Sequence, residues 1–167
     1  MIKGIAAAQR KPGMATDEFH RYWREVHGPL ALQMSKMRRY VQSHRVAEDL
    51  PGFESCPYDG VAEIWFDDLQ TLANLPNDPE YINGAQADEP NFVDTSKLIF
   101  LATTEHVLIK ESAPIEKDTR HCKAIFLINR LPGMSVAEFQ DYWLNGHAPQ
   151  IPLDAGVERY VQCHQLP

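Results

Sequence analysis

An α+β fold is what this sequence predicts: a ferredoxin-like antiparallel sheet with helices on one face, in a dimeric or pseudo-dimeric arrangement. Three observations carry that expectation. Apolar and turn patterns run strand, helix, strand, strand, helix, strand over residues 1–110. Residues 3–46 recur as residues 123–166 at a constant offset of 120, without a gap. Apolar side chains also fall on both sides of the strands, so the face away from the helices needs a cover, and a second sheet supplies one.

The elements follow in order. Ile2–Arg10 and Cys122–Arg130 are short apolar runs ended by Lys-Pro-Gly and Leu-Pro-Gly, and both read as strands. A helix follows each. In the second copy, Ser135 and Glu138 have the spacing of a capping box; the first copy has Ala15 there, so Thr16 or Asp17 is expected to cap. Phe19, Trp23 and Val26 give the apolar stripe of a helix lying on a sheet, and His27 shares the flank of Trp23. Pro29 disfavours helix at Gly28, so a stop near His27 and a short second segment over Pro29–Lys36 are expected. Arg38–Val46 alternates, with Tyr40, Gln42 and His44 on one face and Val41 and Ser43 on the other. Val61–Phe66 reads as a strand, Asp68–Leu75 as a helix and Lys97–Leu108 as a long last strand. Pro76–Asp94 reads as polar and irregular, with Tyr81 and Phe92 as anchors.

The expected boundaries are residues 1–110 for a complete unit, 111–120 for a linker and 121–167 for a partial second unit. A strand, helix and strand cannot close a sheet alone. The partial unit therefore docks on the first copy or a neighbouring subunit, or further chain completes it.

Composition narrows the function. The net charge of −7 argues against nucleic acid or an anionic membrane as partner, since both need clustered Lys and Arg. No apolar run approaches the length of a membrane span, and the first residues are too short for a signal peptide. Cys56, Cys122 and Cys163 show no metal or disulfide spacing. No HExxH, phosphate-binding or nucleophile-elbow motif occurs. The expectation is a soluble, cytoplasmic protein that uses no metal.

The strings RKPGMATDEFHRYWREVHGPL, RRYVQSH and YDGVAEIWFDD resemble the EthD family of dimeric α+β barrels. LPGMSVAEFQDYWLNGHAP with ERYVQCH resembles a second such unit, cut short. The resemblance implies a cavity between sheet and helices, a small organic substrate, no cofactor and a homodimer. It also implies roles for the histidine of the HGP motif and the tyrosine of the next strand. Those positions are His27 and Tyr40, with His147 and Tyr160 in the second copy.

The residues themselves leave choices open. His27 suits proton transfer, because histidine titrates near neutral pH, but it could equally close the helix ahead of Pro29. Tyr40, Gln42 and His44 are costly to bury in an apolar core and suit a wet cavity, or the outer face of an edge strand. The second copy carries Tyr160, Gln162 and His164 on the matching face. Glu63 could face the cavity as a base or pair with Arg10 or Arg39. Trp65, Trp23 and Phe92 are candidates to line a substrate site, although Trp23 and Trp143 also serve as core anchors. Tyr81 and Phe92 fit a lid over the pocket, or equally a loop packed for its own sake. His106 and His121 flank the linker and are expected at the surface.

The function expected is a cofactor-independent enzyme acting by proton transfer on an aromatic, polyketide-like or lactone substrate, as lyase, isomerase or oxygenase. His27 or His44 would exchange the proton, and Tyr40 with Gln42 would stabilise the oxyanion. The alternative is a non-catalytic binding or accessory protein in an oxygenase pathway.

Overall fold

A computed structural model describes residues 1–46, 56–110, 122–151 and 156–166. The expected linker at 111–120 and His121 lie outside the described residues. The chain divides into two compact units, Met1–Thr104 with Gln165–Pro167 and Glu105–His164.

The first unit carries a ferredoxin-like sheet. Strands β1 (Ile2–Ala8), β2 (Arg39–His44), β3 (Gly60–Phe66) and β4 (Ile99–Ile109) stand in the order β2-β3-β1-β4, and each paired register is antiparallel. Register sorts the side chains. Gly4 pairs with Ile64 and Ala102, and Ile64 with Tyr40, so these residues share the helix-covered face. Ile5 pairs with Glu63, and Glu63 with Val41, on the opposite face. Residues of that opposite face, Lys3, Glu63, Trp65 and Thr103 among them, are buried as well.

On the helix side the core lies in two clusters, one around Phe19, Trp23 and Phe92 and the other around Met34, Phe66 and Leu72. Burying each of these large side chains contributes roughly 1.5–3 kcal/mol. Glycine is needed where the helix meets the sheet: a Cβ on Gly60 would lie 2.3 Å from the Trp23 ring and 2.8 Å from the Ser43 carbonyl oxygen.

The helix does not stop at His27. Thr16–Tyr22 is α-helical, Trp23–His27 is a π turn and Gly28–Ala31 returns to α geometry. Proline lacks an N–H and its ring crowds the carbonyl four residues back, and the wider π turn absorbs that misfit. Gly28 stays helical ahead of Pro29 because it has no Cβ to meet the proline ring. The N-cap of this helix is Ala15 with no side-chain cap, so neither Thr16 nor Asp17 fills that role; Asp17 and Glu18 instead place negative charge in the first turn. The segment read as irregular is a series of short helical turns: Leu75–Asn77, Tyr81–Ala85, Gln86–Asp88 and Glu89–Asn91. Asp68 caps Leu69–Ala73 by accepting from the Thr71 N–H at 2.7 Å.

In the second unit, Ser135 and Glu138 form the capping box at the head of Val136–Asp141, and Tyr142–His147 is again a π turn. Gly133 has φ 85°, matching 84° at Gly13 in the first copy. The last strand, β5, spans Tyr160–Gln165. Cys122–Arg130, expected as a strand, pairs with no strand among the described residues, and Ile125, Phe126, Leu127 and Ile128 are exposed. Its counterpart β1 is held by ladders from β3 and β4, and the repeat does not include those two strands.

Replacing Gly60 with Ala should cost about 3 kcal/mol, because neither the indole nor the carbonyl can yield without disturbing the core. Gly84→Ala, whose new Cβ would meet nothing nearer than 3.9 Å, should change stability by less than about 0.5 kcal/mol. Urea unfolding of both variants checks the contrast.

Candidate active site

A cavity of about 80 Å³ lies between the sheet and the helical turns of the first unit. Small residues on the strands (Ala6, Ala8 and Ala62) make the room, and Trp23, Ile64 and Phe92 help form the apolar wall. His27, Tyr40, Tyr81 and Glu89 also line the cavity. Space of this size holds several water-sized groups, in a setting where unpaired polar atoms are costly.

His27 comes from the π turn and is buried. Its Nδ1 lies 3.1 Å from Asp88 Oδ2. Asp88, itself buried, also accepts from the Tyr22 hydroxyl at 2.6 Å and from the Asn91 amide at 3.0 Å. Burial pushes the Asp88 carboxyl up, but its three donors outweigh that and hold it below its ordinary value. Burial lowers the His27 pKa, and Asp88 only partly offsets the shift. The imidazole is therefore neutral at neutral pH, with its proton on Nδ1 facing the carboxylate. Nε2 keeps a lone pair for chemistry.

Tyr40 projects from β2. Its hydroxyl oxygen accepts from Trp23 Nε1 at 3.0 Å and from Gln42 Nε2 at 3.1 Å. Both lone pairs are thereby engaged, and the phenolic proton is the part left to donate into the cavity. Burial raises the phenol's pKa, while the two donors, Gln42 and then Trp23, pull it back.

Gln42 is a clamp rather than a wall residue. Its amide nitrogen also donates to the Trp23 carbonyl at 3.0 Å, the carbonyl that accepts the π-turn bond from Gly28. Its oxygen therefore accepts from His44 Nε2–H at 3.0 Å. His44 Nδ1 is then an acceptor, and His20 Nδ1–H donates to it at 3.0 Å. His44 stacks on Trp23 with ring centroids 4.6 Å apart and does not line the cavity. Burial, with His20 and Arg24 adding to it, lowers the His44 pKa to about 4.

Other candidates sit elsewhere. Glu63 and Trp65 lie on the opposite sheet face, and Glu63 pairs with Lys3 rather than with Arg10 or Arg39. Arg10 instead holds Asp59, and Arg39 lies over the Trp65 ring at 4.7 Å. In the second unit, Gln162 donates to the Trp143 carbonyl at 2.8 Å and to Tyr160 at 2.9 Å, and His164 meets its oxygen at 3.0 Å. His147 is exposed and has no carboxylate partner among the described residues. His106 is half-buried, its ring 4.2 Å from that of His164.

Asp88 and Glu89 were not apparent from sequence. The available signal was a pair of carboxylates between the aromatic anchors Tyr81 and Phe92. Tyr81 donates to Glu89 Oε1 at 3.1 Å. Burial raises the Glu89 pKa, the Tyr81 bond opposes this, and the neighbouring Asp88 charge adds to the rise. Among the described residues, no group of three or more His, Cys, Asp or Glu is placed to hold a metal, and no helix is long and apolar enough to cross a membrane.

Residues 11–96, just over half of the chain, match the EthD domain. The chain belongs to the EthD family. The match contains the π turn, β2 and the helical turns that carry Asp88 and Glu89. The EthD chain is 20% identical over 123 residues to Dehydratase aurZ of Gibberella zeae, covering 66% of this chain and 81% of that one. Its fold is similar to that of an EthD family protein from Bacillus halodurans, with a TM-score of 0.51, 20% identity and coverage of 64% of this chain and all of that one. A dimeric ferredoxin-like protein of unknown function from Bacteroides fragilis has a TM-score of 0.44 and 13% identity, covering 60% of this chain and 92% of that one.

Stability should fall as pH drops from about 6.5 to about 4. In that window the unfolded chain binds a proton that folded His44 refuses. His44→Gln should flatten the slope in urea titrations over this range, whereas a slope unchanged from wild type would contradict the burial argument.

Proposed function

We propose that the cavity is the active site of a dehydratase-type lyase acting on a small hydroxylated ketone. The observation that carries this reading is the buried His27–Asp88 pair, which leaves a basic Nε2 in an apolar cavity that also contains a phenol. In this reading Nε2 removes a proton from the carbon beside the carbonyl. Tyr40 donates to the carbonyl oxygen as negative charge develops there, and its two fixed donors keep the phenol oriented. The similarity to Dehydratase aurZ supports elimination over isomerisation or oxygenation. These side chains can carry out the proton transfer by themselves.

The second copy is, on the same reading, a structural repeat without a second active site. It reproduces the Trp–Gln–Tyr clamp, but its histidine is exposed and has no Asp88 equivalent among the described residues.

Deuterium exchange at the α-carbon of 1-tetralone in D₂O tests the base directly. His27→Gln should slow exchange by at least about 100-fold, and Tyr40→Phe by roughly 10–1000-fold. His147→Ala should leave it unchanged. The wild-type rate should rise with pH through an apparent pKa below the ordinary histidine value, since burial lowers His27. Wild-type exchange at the buffer rate, or exchange indifferent to His27, would overturn the assignment.

A further inference from the structure

We propose that Glu89 is the general acid of this site, delivering the proton that lets the substrate hydroxyl leave as water. The inference rests on the dehydratase reading above and adds to it a residue and a step. Elimination needs two proton transfers, and His27 with Tyr40 accounts for only one of them. The other needs a group that holds a proton at the working pH and faces the same cavity.

Glu89 has the geometry. It lines the cavity with His27 and Tyr40, in a setting made mostly of apolar side chains. Tyr81 occupies Oε1 at 3.1 Å, so a carboxyl proton sits on Oε2, free to be donated. Burial and the neighbouring Asp88 charge favour that proton, and together they outweigh the opposing Tyr81 bond. Asp88, next in sequence, is held ionised by Tyr22, Asn91 and His27 and repels a second negative charge. Tyr81 and Tyr40 are phenols whose pKa values are raised, and the charge of Glu89 contributes to both shifts. Among the described residues, the cavity wall contains no Lys or Arg to stabilise a carboxylate. For the same reason the wall suits an uncharged substrate.

The protons and electrons balance. His27 Nε2 takes the α-proton, and the C–H electron pair becomes the new C=C bond. The C–O bond to the β-carbon breaks as Oε2–H protonates the leaving oxygen, releasing water. Imidazolium and carboxylate remain, and exchange of one proton through solvent restores the neutral pair. No oxidant or reductant is consumed.

The probe is 3-hydroxy-1-tetralone, an uncharged β-hydroxy ketone whose dehydration gives 1-naphthol, followed alongside exchange of 1-tetralone. Exchange requires the base and the Tyr40 donor but no acid for a leaving group, whereas elimination requires that acid as well. Glu89→Gln should lower naphthol formation at least about 100-fold while exchange persists. The variant should also lose the decline in elimination rate that wild type shows as pH rises through the Glu89 pKa. Naphthol formation within threefold of wild type would overturn the role of Glu89 and leave the dehydratase reading intact. Loss of exchange in the wild type would overturn both. Should the variant not fold, infrared spectra of wild-type protein carrying [13C]glutamate supply the test. A protonated carboxyl band is expected to persist above the ordinary glutamate range, and its absence there would overturn the proposal.

Discussion

A buried carboxylate must find donors, and Asp88 is where this unit meets that demand. Three groups from two parts of the chain satisfy it: Tyr22 and His27 from the helix and π turn, and Asn91 from the turns that follow. Removing one partner from a buried ionic group costs several kcal/mol, so the contact fixes geometry more firmly than any apolar neighbour. Phe92 then packs on the same cluster, with its ring 5.4 Å from that of Tyr22 and 4.7 Å from His27. The helical turns are thereby pinned over the sheet, and one wall of the cavity exists because of it. Tautomer choice at His27 follows from the same contact.

The recurring Tyr-Trp, His, Pro pattern separates into packing and chemistry. Trp23 anchors the core of the first copy and donates to Tyr40. Proline forces the π turn, and the tryptophan carbonyl in that turn also accepts from Gln42 in one copy and Gln162 in the other. These parts recur because they hold a helix to a strand. Histidine differs between copies through its surroundings alone: His27 is buried against Asp88, while His147 is exposed. The same motif residues therefore give a buried, carboxylate-paired imidazole in one place and a surface side chain in the other.

Much of the first unit could be read from residues. Strand and helix order, the alternation of Tyr40, Gln42 and His44, and the Ser135–Glu138 cap are local patterns with local causes. What escaped the sequence depends on contacts between distant segments. Asp88 and Glu89 look like ordinary polar turn residues until the fold brings one to His27, 61 positions away, and sets the other in the cavity wall. Pre-proline crowding is a general rule that makes Pro29 look like a stop, and Gly28 lifts the Cβ part of it. Cys122–Arg130 has strand composition, but a strand also needs neighbours. His44 showed the limit of face arguments: it shares a face with Tyr40 yet packs on Trp23 and His20 beyond the cavity.

The central claim is that His27 stands neutral, with its proton on Nδ1 toward Asp88 and its lone pair on Nε2 toward the cavity. Nitrogen-15 NMR of the histidine rings at neutral pH measures this directly. The account predicts a protonated Nδ1 and an unprotonated Nε2 for His27, with the pattern lost in Asp88→Asn. A ring protonated on both nitrogens, or on Nε2 alone, would contradict it.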